Sequence, residues 1–180
     1  MLEKYPLFKV LNVLLNRAGP RSVREMARQA RISPSAAKGV LDWLFKSKIL
    51  RREIIGRTYQ YSLTADYFLT KHIKTLHILF EIARSGIVEE LISKYPLLSV
   101  TLYGSVARGE AGPQSDIDLL LIARKETKFT GAKAAGRLKR EVNYLVYTFA
   151  EWKEKARKDR IFYDRLIIDA IPLHGEVPAV

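Results

Sequence analysis

Two aspartates one residue apart, preceded by a glycine-serine turn, are the residues whose types and spacing best suit chemistry. The turn is Gly104-Ser105, and after ten further residues come Asp116 and Asp118, at the start of the apolar run Leu119–Leu121. Successive side chains of a strand point to opposite faces, so we expect both carboxylates on one face. Adjacent carboxylates repel each other unless a cation lies between them, and a hard divalent ion such as Mg²⁺ is the usual one.

The segment before the turn adds a second chemical function. Val100–Tyr103 predicts a buried strand that stops at Gly104-Ser105. The backbone amides of such a turn, at the start of a helix, can hold a phosphate. A phosphate cradle beside a metal-binding carboxylate pair is what phosphoryl or nucleotidyl transfer needs.

The spacing of these two motifs also resembles a family signature. Gly104-Ser105, ten residues and Asp116-x-Asp118 resemble the signature of the DNA polymerase β-like nucleotidyltransferases, and Ala107-Arg108-Gly109 most resembles their small prokaryotic branch, the minimal nucleotidyltransferases. The resemblance implies a small mixed sheet with flanking helices, Mg²⁺ as the cofactor and a nucleoside triphosphate as substrate or ligand. It also implies that Gly104 and Ser105 bind the triphosphate and that Asp116 and Asp118 hold magnesium.

Arg108 has two interpretations that the sequence leaves open. It can neutralise phosphate charge in the nucleotide site, or it can form an ion pair with Asp116 or Glu110 that fixes the loop.

The resemblance implies a third acidic residue on the next strand, which helps to hold the metal and activates the attacking hydroxyl. After a predicted helix at 130–140 comes the strand-forming run 141–147. Within it, Val142-Asn143-Tyr144 best matches the family's Val-Asp-Leu pattern, so the resemblance puts Asn143 where the acidic residue is expected. An amide can ligate a metal through its carbonyl oxygen, but it is neutral and cannot act as a general base. Glu141, two residues earlier on the same predicted strand face, is the alternative catalytic carboxylate, and it can equally be a solvated charge.

The N-terminal third contains three helix signals followed by a hairpin signal. A leucine-rich run at 7–15 has helical spacing, Ser22-Val23-Arg24-Glu25 is a capping box, and Ser33-Pro34 is an N-cap serine followed by proline. Two strand-like runs, 49–55 and 59–63, follow. This order resembles winged helix-turn-helix DNA-binding domains, in which the last helix enters the major groove.

That resemblance implies double-stranded DNA as a partner. The residues expected at base edges are Ser35, Lys38 and Gly39, and those expected at phosphates are Arg51, Arg52 and Arg57. Asp42 repels phosphate, so we expect it to pair with Lys38 or Lys46 on the same helix. A three-helix scaffold that binds protein is the alternative for this segment.

Positive charge is concentrated in the same N-terminal third. The net charge is +12, and residues 1–66 contribute +8 of it, with 13 Lys and Arg against 5 Asp and Glu. Nucleic acid is the natural partner of such a surface.

Composition excludes several other classes of protein. The chain has no cysteine, so disulfides, zinc-thiolate sites and cysteine nucleophiles are excluded. No hydrophobic run reaches the length of a membrane span, so we expect a cytoplasmic protein with no membrane partner.

The sequence thus predicts an α+β protein in three segments. They are a winged helix domain at 1–64, a helical linker at 65–96 and a nucleotidyltransferase-like domain at 97–180. The linker has an apolar stripe at three- and four-residue spacing, formed by Leu69, Ile73, Leu76, Phe80 and Ala83. This stripe either pairs with its copy in a homodimer or packs on the sheet of the third segment.

Three functional hypotheses follow. In the first, the chain is a DNA-binding, transcriptional regulator-like protein whose nucleotidyltransferase-like domain binds Mg²⁺-nucleotide. In the second, it is an active minimal nucleotidyltransferase that moves a nucleoside monophosphate onto a hydroxyl; the resemblance then implies an antitoxin with a toxin partner. In the third, the domain only mediates assembly. Because Asn143 is neutral, the sequence supports nucleotide and metal binding better than turnover.

Overall fold

A computed structural model describes residues 4–180 of the chain, and their contacts divide into two compact units. We call the described residues up to Lys74, with Gly112–Gln114, the N-terminal unit, and Thr75–Ala111 with Ser115–Val180 the C-terminal unit. The helices are α1 (Pro6–Asn16), α2 (Val23–Ala30), α3 (Pro34–Lys46), α4 (Phe68–Ser85), α5 (Ile87–Lys94), α6 (Gly104–Ala107), α7 (Phe149–Lys158) and α8 (Arg160–Asp169). The strands are β1 (Leu50–Ile55), β2 (Thr58–Leu63), β3 (Leu97–Tyr103), β4 (Ile117–Ala123), β5 (Val142–Thr148) and β6 (Ile171–His174).

The N-terminal unit consists of α1, α2 and α3 followed by the antiparallel hairpin of β1 and β2. The predicted capping box of α2 is confirmed, because Ser22 and Glu25 cap each other reciprocally. Ser33 caps α3 as predicted, with Pro34 at its first position. The apolar faces of these elements share one core with Leu50 and Tyr61 of the hairpin.

The C-terminal unit contains a four-stranded sheet in the order β5-β4-β3-β6. β4 and β5 are parallel, whereas β3 is antiparallel to both β4 and β6, so the sheet is mixed. Leu119 and Leu121 of β4 face a core shared with α4 and α5, and Leu120 and Ile122 face a second core that contains Trp152 of α7. The predicted α+β fold, a mixed sheet with flanking helices, is confirmed for this unit.

Two details near the sheet differ from the sequence-based expectations. The helix expected at 130–140 is only a 3-10 helix, Lys133–Arg137, because Gly131 adopts a left-handed φ of 76° and a second glycine, Gly136, weakens the run. The apolar stripe of α4 includes exposed side chains, with Leu76 at 50% and Phe80 at 40% exposure. Pairing of this stripe in a homodimer stays a prediction.

In the part of the chain that the structure describes, no helix combines the length and the apolar character needed to cross a bilayer.

Candidate functional site

The candidate site begins where β3 ends and α6 starts. β3 is buried along most of its length and ends at Tyr103, and α6 begins at Gly104, whose φ is +78°. A Cβ atom at position 104 would collide with Oδ2 of Asp118. Glycine is therefore required at position 104 for two reasons: the backbone is left-handed, and it approaches a carboxylate too closely for a side chain to fit.

The two aspartates lie at the start of β4, between its two neighbouring strands. Asp116 directly precedes the strand, and Asp118 is opposite Tyr103 of β3 and beside Asn143 of β5. The Nδ2 of Asn143 donates hydrogen bonds to Oδ1 of Asp118, at 3.1 Å, and to Oδ2 of Asp116, at 3.5 Å. One amide thus contacts both carboxylates, and the structure brings all three side chains together.

Glu141, the alternative to Asn143, plays a different structural part. It lies just before β5 with an exposed side chain, and its backbone carbonyl accepts a hydrogen bond from the Ile117 N–H at 2.9 Å. The group that meets the aspartates from β5 is therefore a neutral amide, which can donate or accept hydrogen bonds but cannot take a proton from a hydroxyl at neutral pH.

Ser105 and Arg108 shape the loop that follows the turn. The Ser105 carbonyl accepts hydrogen bonds from the backbone N–H groups of Glu110 and Ala111, at 2.9 and 3.2 Å. Arg108 forms ion pairs with Glu110, at 2.7 Å, and with Asp169 of α8, at 3.4 Å, and the hydrogen bond to Glu110 is the main reason why the pKa of Arg108 is raised. The structure thus contains the predicted ion pair with Glu110, whereas a phosphate role for Arg108 stays a prediction.

Tyr103 is a neighbour of the site that sequence reasoning missed. Burial, and after it the negative charge of Asp118, raises the pKa of its phenol to about 12. Tyr103 therefore stays protonated at neutral pH. The sequence signal that could have identified Tyr103 is its position directly before Gly104. β3 runs antiparallel to β4, so the last residue of β3 lies opposite the first residues of β4, where the aspartates are.

The oxygen atoms at this site suit a magnesium ion. Within residues 4–180 no group of three or more His, Cys, Asp or Glu side chains is arranged to hold a metal. Asp116 and Asp118 nevertheless supply two adjacent carboxylates, and Mg²⁺ is usually bound by one or two carboxylates together with water and substrate phosphates. The residues present therefore fit Mg²⁺ held jointly with a nucleotide.

The residues predicted to bind DNA lie in the N-terminal unit. Ser35, Lys38 and Gly39 are exposed on α3, Arg51 and Arg52 are on β1, and Arg57 is exposed in the hairpin turn. Three of them have partners within the unit, and one is Arg51, whose Nε donates a hydrogen bond to Oγ of Ser62 at 2.9 Å. Lys38 forms the predicted ion pair with Asp42, and the guanidinium of Arg52 lies 4.5 and 4.2 Å from the ring centroids of Phe45 and Tyr59.

Comparison with known proteins bears on the C-terminal unit. Residues 84–168 match the model of the family described as nucleotidyltransferase domain. No curated protein sequence matches the chain. Among solved structures, a candidate nucleotidyltransferase from Sulfolobus solfataricus aligns at 24% identity over 59% of this chain and 88% of its own, with a TM-score of 0.37.

Another solved structure, human N-acetylserotonin methyltransferase in complex with SAM, aligns at 19% identity over 52% of this chain and 31% of its own, with a TM-score of 0.33. Both structural likenesses are too distant to support an argument about function. The family match and the mixed sheet together show that the C-terminal part of this chain contains a nucleotidyltransferase-like domain.

Proposed function

We propose that the C-terminal unit binds a Mg²⁺-nucleotide at Gly104, Ser105, Asp116 and Asp118 within a DNA-binding, regulator-like protein. The observation on which this depends is the hydrogen bonding of Asn143 to both aspartates. A neutral amide moderates the repulsion of the two carboxylates but provides no base. The site is therefore suited to holding a nucleotide and lacks one component of turnover.

In this proposal Asp116 and Asp118 hold the metal, which, when bound, neutralises phosphate charge and polarises the phosphoryl oxygens. The backbone at Gly104 approaches Asp118 more closely than a side chain would allow, so the turn that would hold the phosphates is next to the carboxylates that would hold the metal. The chain itself supplies the phosphate cradle, the metal ligands and the neutral amide beside them.

Calorimetric titration with ATP, CTP, GTP and UTP in the presence of Mg²⁺ tests this proposal. We expect Mg²⁺-dependent binding of at least one of these nucleotides, and its loss in Asp118→Ala. Asp164→Ala is the matched control, because Asp164 is a carboxylate that pairs with Arg160 on α8 and lies outside the site. Absence of binding for all four nucleotides, or equal binding by Asp118→Ala, would overturn the proposal.

The alternative is an active transferase that moves a nucleoside monophosphate to a hydroxyl acceptor. Incubation with each labelled nucleotide, Mg²⁺ and candidate acceptors detects transfer directly. Transfer by the wild-type protein, abolished in Asp118→Ala, would establish the alternative. If transfer appears only in Asn143→Asp, the missing carboxylate is what separates binding from catalysis.

DNA binding is the second function that we propose, for the N-terminal unit. It is supported by the charge of +8 over residues 1–66 and by a hairpin whose turn exposes Arg57. The order of three helices and a hairpin, with Ser35, Lys38 and Gly39 exposed on α3, suits groove binding by that helix and phosphate contacts by the hairpin.

Fluorescence anisotropy with double-stranded DNA at several salt concentrations tests this second proposal. We expect affinity to fall steeply with salt, and Arg57→Ala to weaken binding to all sequences and to lower the salt slope by about 1. Arg165→Ala, which removes the same charge from an exposed position on α8, should bind like the wild type. Undetectable or salt-insensitive binding would refute DNA binding.

A further inference from the structure

The residues on either side of Asp116 are held by one short segment of the chain. The Nη1 of Arg140 donates a hydrogen bond to the Ser115 carbonyl at 2.8 Å. The next residue, Glu141, accepts a hydrogen bond from the Ile117 N–H through its carbonyl at 2.9 Å. Asp116 therefore lies between two held backbone groups: the carbonyl before it is bonded to Arg140, and the N–H after it is bonded to Glu141.

Arg140 is itself fixed by its surroundings. Its side chain is only 3% exposed, and its Nε lies 3.8 Å from Oε2 of Glu81 on α4. Glu81 is also paired with His77, one helical turn earlier, at 3.4 Å. A buried guanidinium needs such partners, because an unpaired charge away from water is costly. The position of the Arg140 fork is therefore determined by α4 as well as by the loop that it holds.

We propose that Arg140 is a positioning residue for the metal site: it fixes the Ser115 carbonyl and thereby holds the Asp116 carboxylate beside Asp118. The inference rests on the proposed function, since it assigns to Arg140 the geometry of the carboxylate pair that binds Mg²⁺-nucleotide. In this proposal Arg140 acts through the backbone of Ser115.

Electrostatics and positioning make opposite predictions for this residue. Loss of a positive charge near two carboxylates by itself strengthens cation binding, because the charge repels the incoming ion. Loss of an anchor on the metal-ligating segment weakens cation binding, typically by 10- to 100-fold when a supporting residue of a metal site is removed. The sign of the change in affinity therefore separates the two roles.

The test uses Mn²⁺ in place of Mg²⁺, titrated into the full chain and followed by electron paramagnetic resonance. We expect Arg140→Met to bind Mn²⁺ at least about tenfold more weakly than the wild type. Arg137→Met is the matched control. Arg137 also donates a hydrogen bond to a backbone carbonyl of the same unit, that of Ser85 at 2.9 Å, so its loss should leave Mn²⁺ affinity within about twofold of the wild type.

Amide hydrogen exchange gives a readout that needs no metal. The Ile117 N–H, bonded to Glu141, should exchange faster in Arg140→Met than in the wild type or in Arg137→Met. If Arg140→Met does not fold, Arg140→Lys keeps the charge but not the guanidinium fork, and the same two changes are expected from it.

Unchanged or tighter Mn²⁺ binding by a folded Arg140 variant would overturn the inference, as would unchanged exchange at Ile117. A wild-type protein that binds Mn²⁺ neither alone nor together with any of the four nucleotides would instead refute the metal site of the proposed function, and exchange at Ile117 would still decide whether Arg140 holds the segment.

Discussion

Asn143 lies beside Asp118 in the parallel register of β4 and β5, and its Nδ2 donates a 3.1 Å hydrogen bond to the carboxylate. The same nitrogen is 3.5 Å from Oδ2 of Asp116. Two carboxylates that repel each other thus share one neutral donor. The amide partly replaces the cation that such a pair otherwise requires.

Replacement of Asn143 by aspartate should make the stability of the C-terminal unit depend on magnesium. The substitution removes the shared donor and adds a third negative charge, so we expect the free energy of unfolding at neutral pH to fall by about 1 to 3 kcal/mol without Mg²⁺. Added Mg²⁺ should restore more stability to Asn143→Asp than to the wild type. Urea unfolding with and without Mg²⁺, followed by the fluorescence of the buried Trp152 in a Trp43→Phe background, measures both changes.

The wild type in the same Mg²⁺ series is the internal control. Equal stability of the two proteins without Mg²⁺ would contradict the stabilising role that we assign to the Asn143 amide.

A pair of glycine substitutions separates backbone strain from the contact with Asp118. Gly104 and Gly131 both have a left-handed φ, +78° and +76°, but only at Gly104 does an added Cβ meet another atom, Oδ2 of Asp118. Gly131→Ala should lose about 1 to 2 kcal/mol from the left-handed backbone alone. Gly104→Ala should lose more, and it should also lose nucleotide binding because Asp118 must move. Urea unfolding and calorimetric titration with MgATP check this, and equal losses at both positions would count against the close approach.

Short-range features of this fold could be predicted from the sequence. The reciprocal cap of Ser22 and Glu25 and the Ser33 cap of α3 depend on residues three apart, so their signals are local. The position of Asn143 is predicted by the resemblance to the nucleotidyltransferase family, and the parallel register places it beside Asp118.

Contacts between distant residues could not be predicted in the same way. Arg140 reaches the carbonyl of Ser115 across 25 residues, and Arg108 reaches Asp169 across 61. Most arginine side chains form ion pairs or hydrogen bonds to carbonyls, so the residue type alone does not predict which partner an arginine has. These partners are selected only by the packing of the sheet against its helices. The helix expected at 130–140 was wrong for a local reason, because the left-handed backbone at Gly131 outweighs the helix-forming alanines.

Tyr103 should report occupation of the site by a cation. Its phenol pKa, raised to about 12 by burial and then by the charge of Asp118, should fall when Mg²⁺ neutralises that charge. Asp118→Asn should lower the pKa of Tyr103 without Mg²⁺ and remove its response to the ion. Titration of ¹³C-labelled tyrosines by NMR measures this, with Tyr103→Phe to assign the signal and with the more alkali-tolerant Ca²⁺ in place of Mg²⁺, whose hydroxide precipitates in this pH range. If the pKa of Tyr103 changes neither on addition of the cation nor in Asp118→Asn, the charge of Asp118 does not influence this phenol.

The stability of the C-terminal unit should depend on pH through Glu81. A hydrogen bond from His77 is the largest cause that lowers the pKa of this carboxyl below its ordinary value of 4.5, and the charge of Arg140 acts in the same direction. Because the folded-state pKa is the lower one, the unfolded chain takes up the proton first as the pH falls. The contribution of Glu81 to stability is therefore complete above pH 4.5 and is lost as the pH falls through the folded-state pKa.

Glu81→Gln should accordingly be less stable than the wild type at pH 7, by about 1 to 3 kcal/mol for a charged hydrogen-bond partner at this half-buried position. The difference in stability should shrink as the pH is lowered below 4.5, because the wild type then loses the ionised carboxylate that Glu81→Gln lacks at every pH. Urea unfolding at a series of pH values measures it, with Glu126→Gln, at an exposed position, as the control that should stay close to the wild type throughout. A difference that is constant with pH would mean that Glu81 stabilises the unit by packing, because only the ionised carboxylate gains from its cationic neighbours.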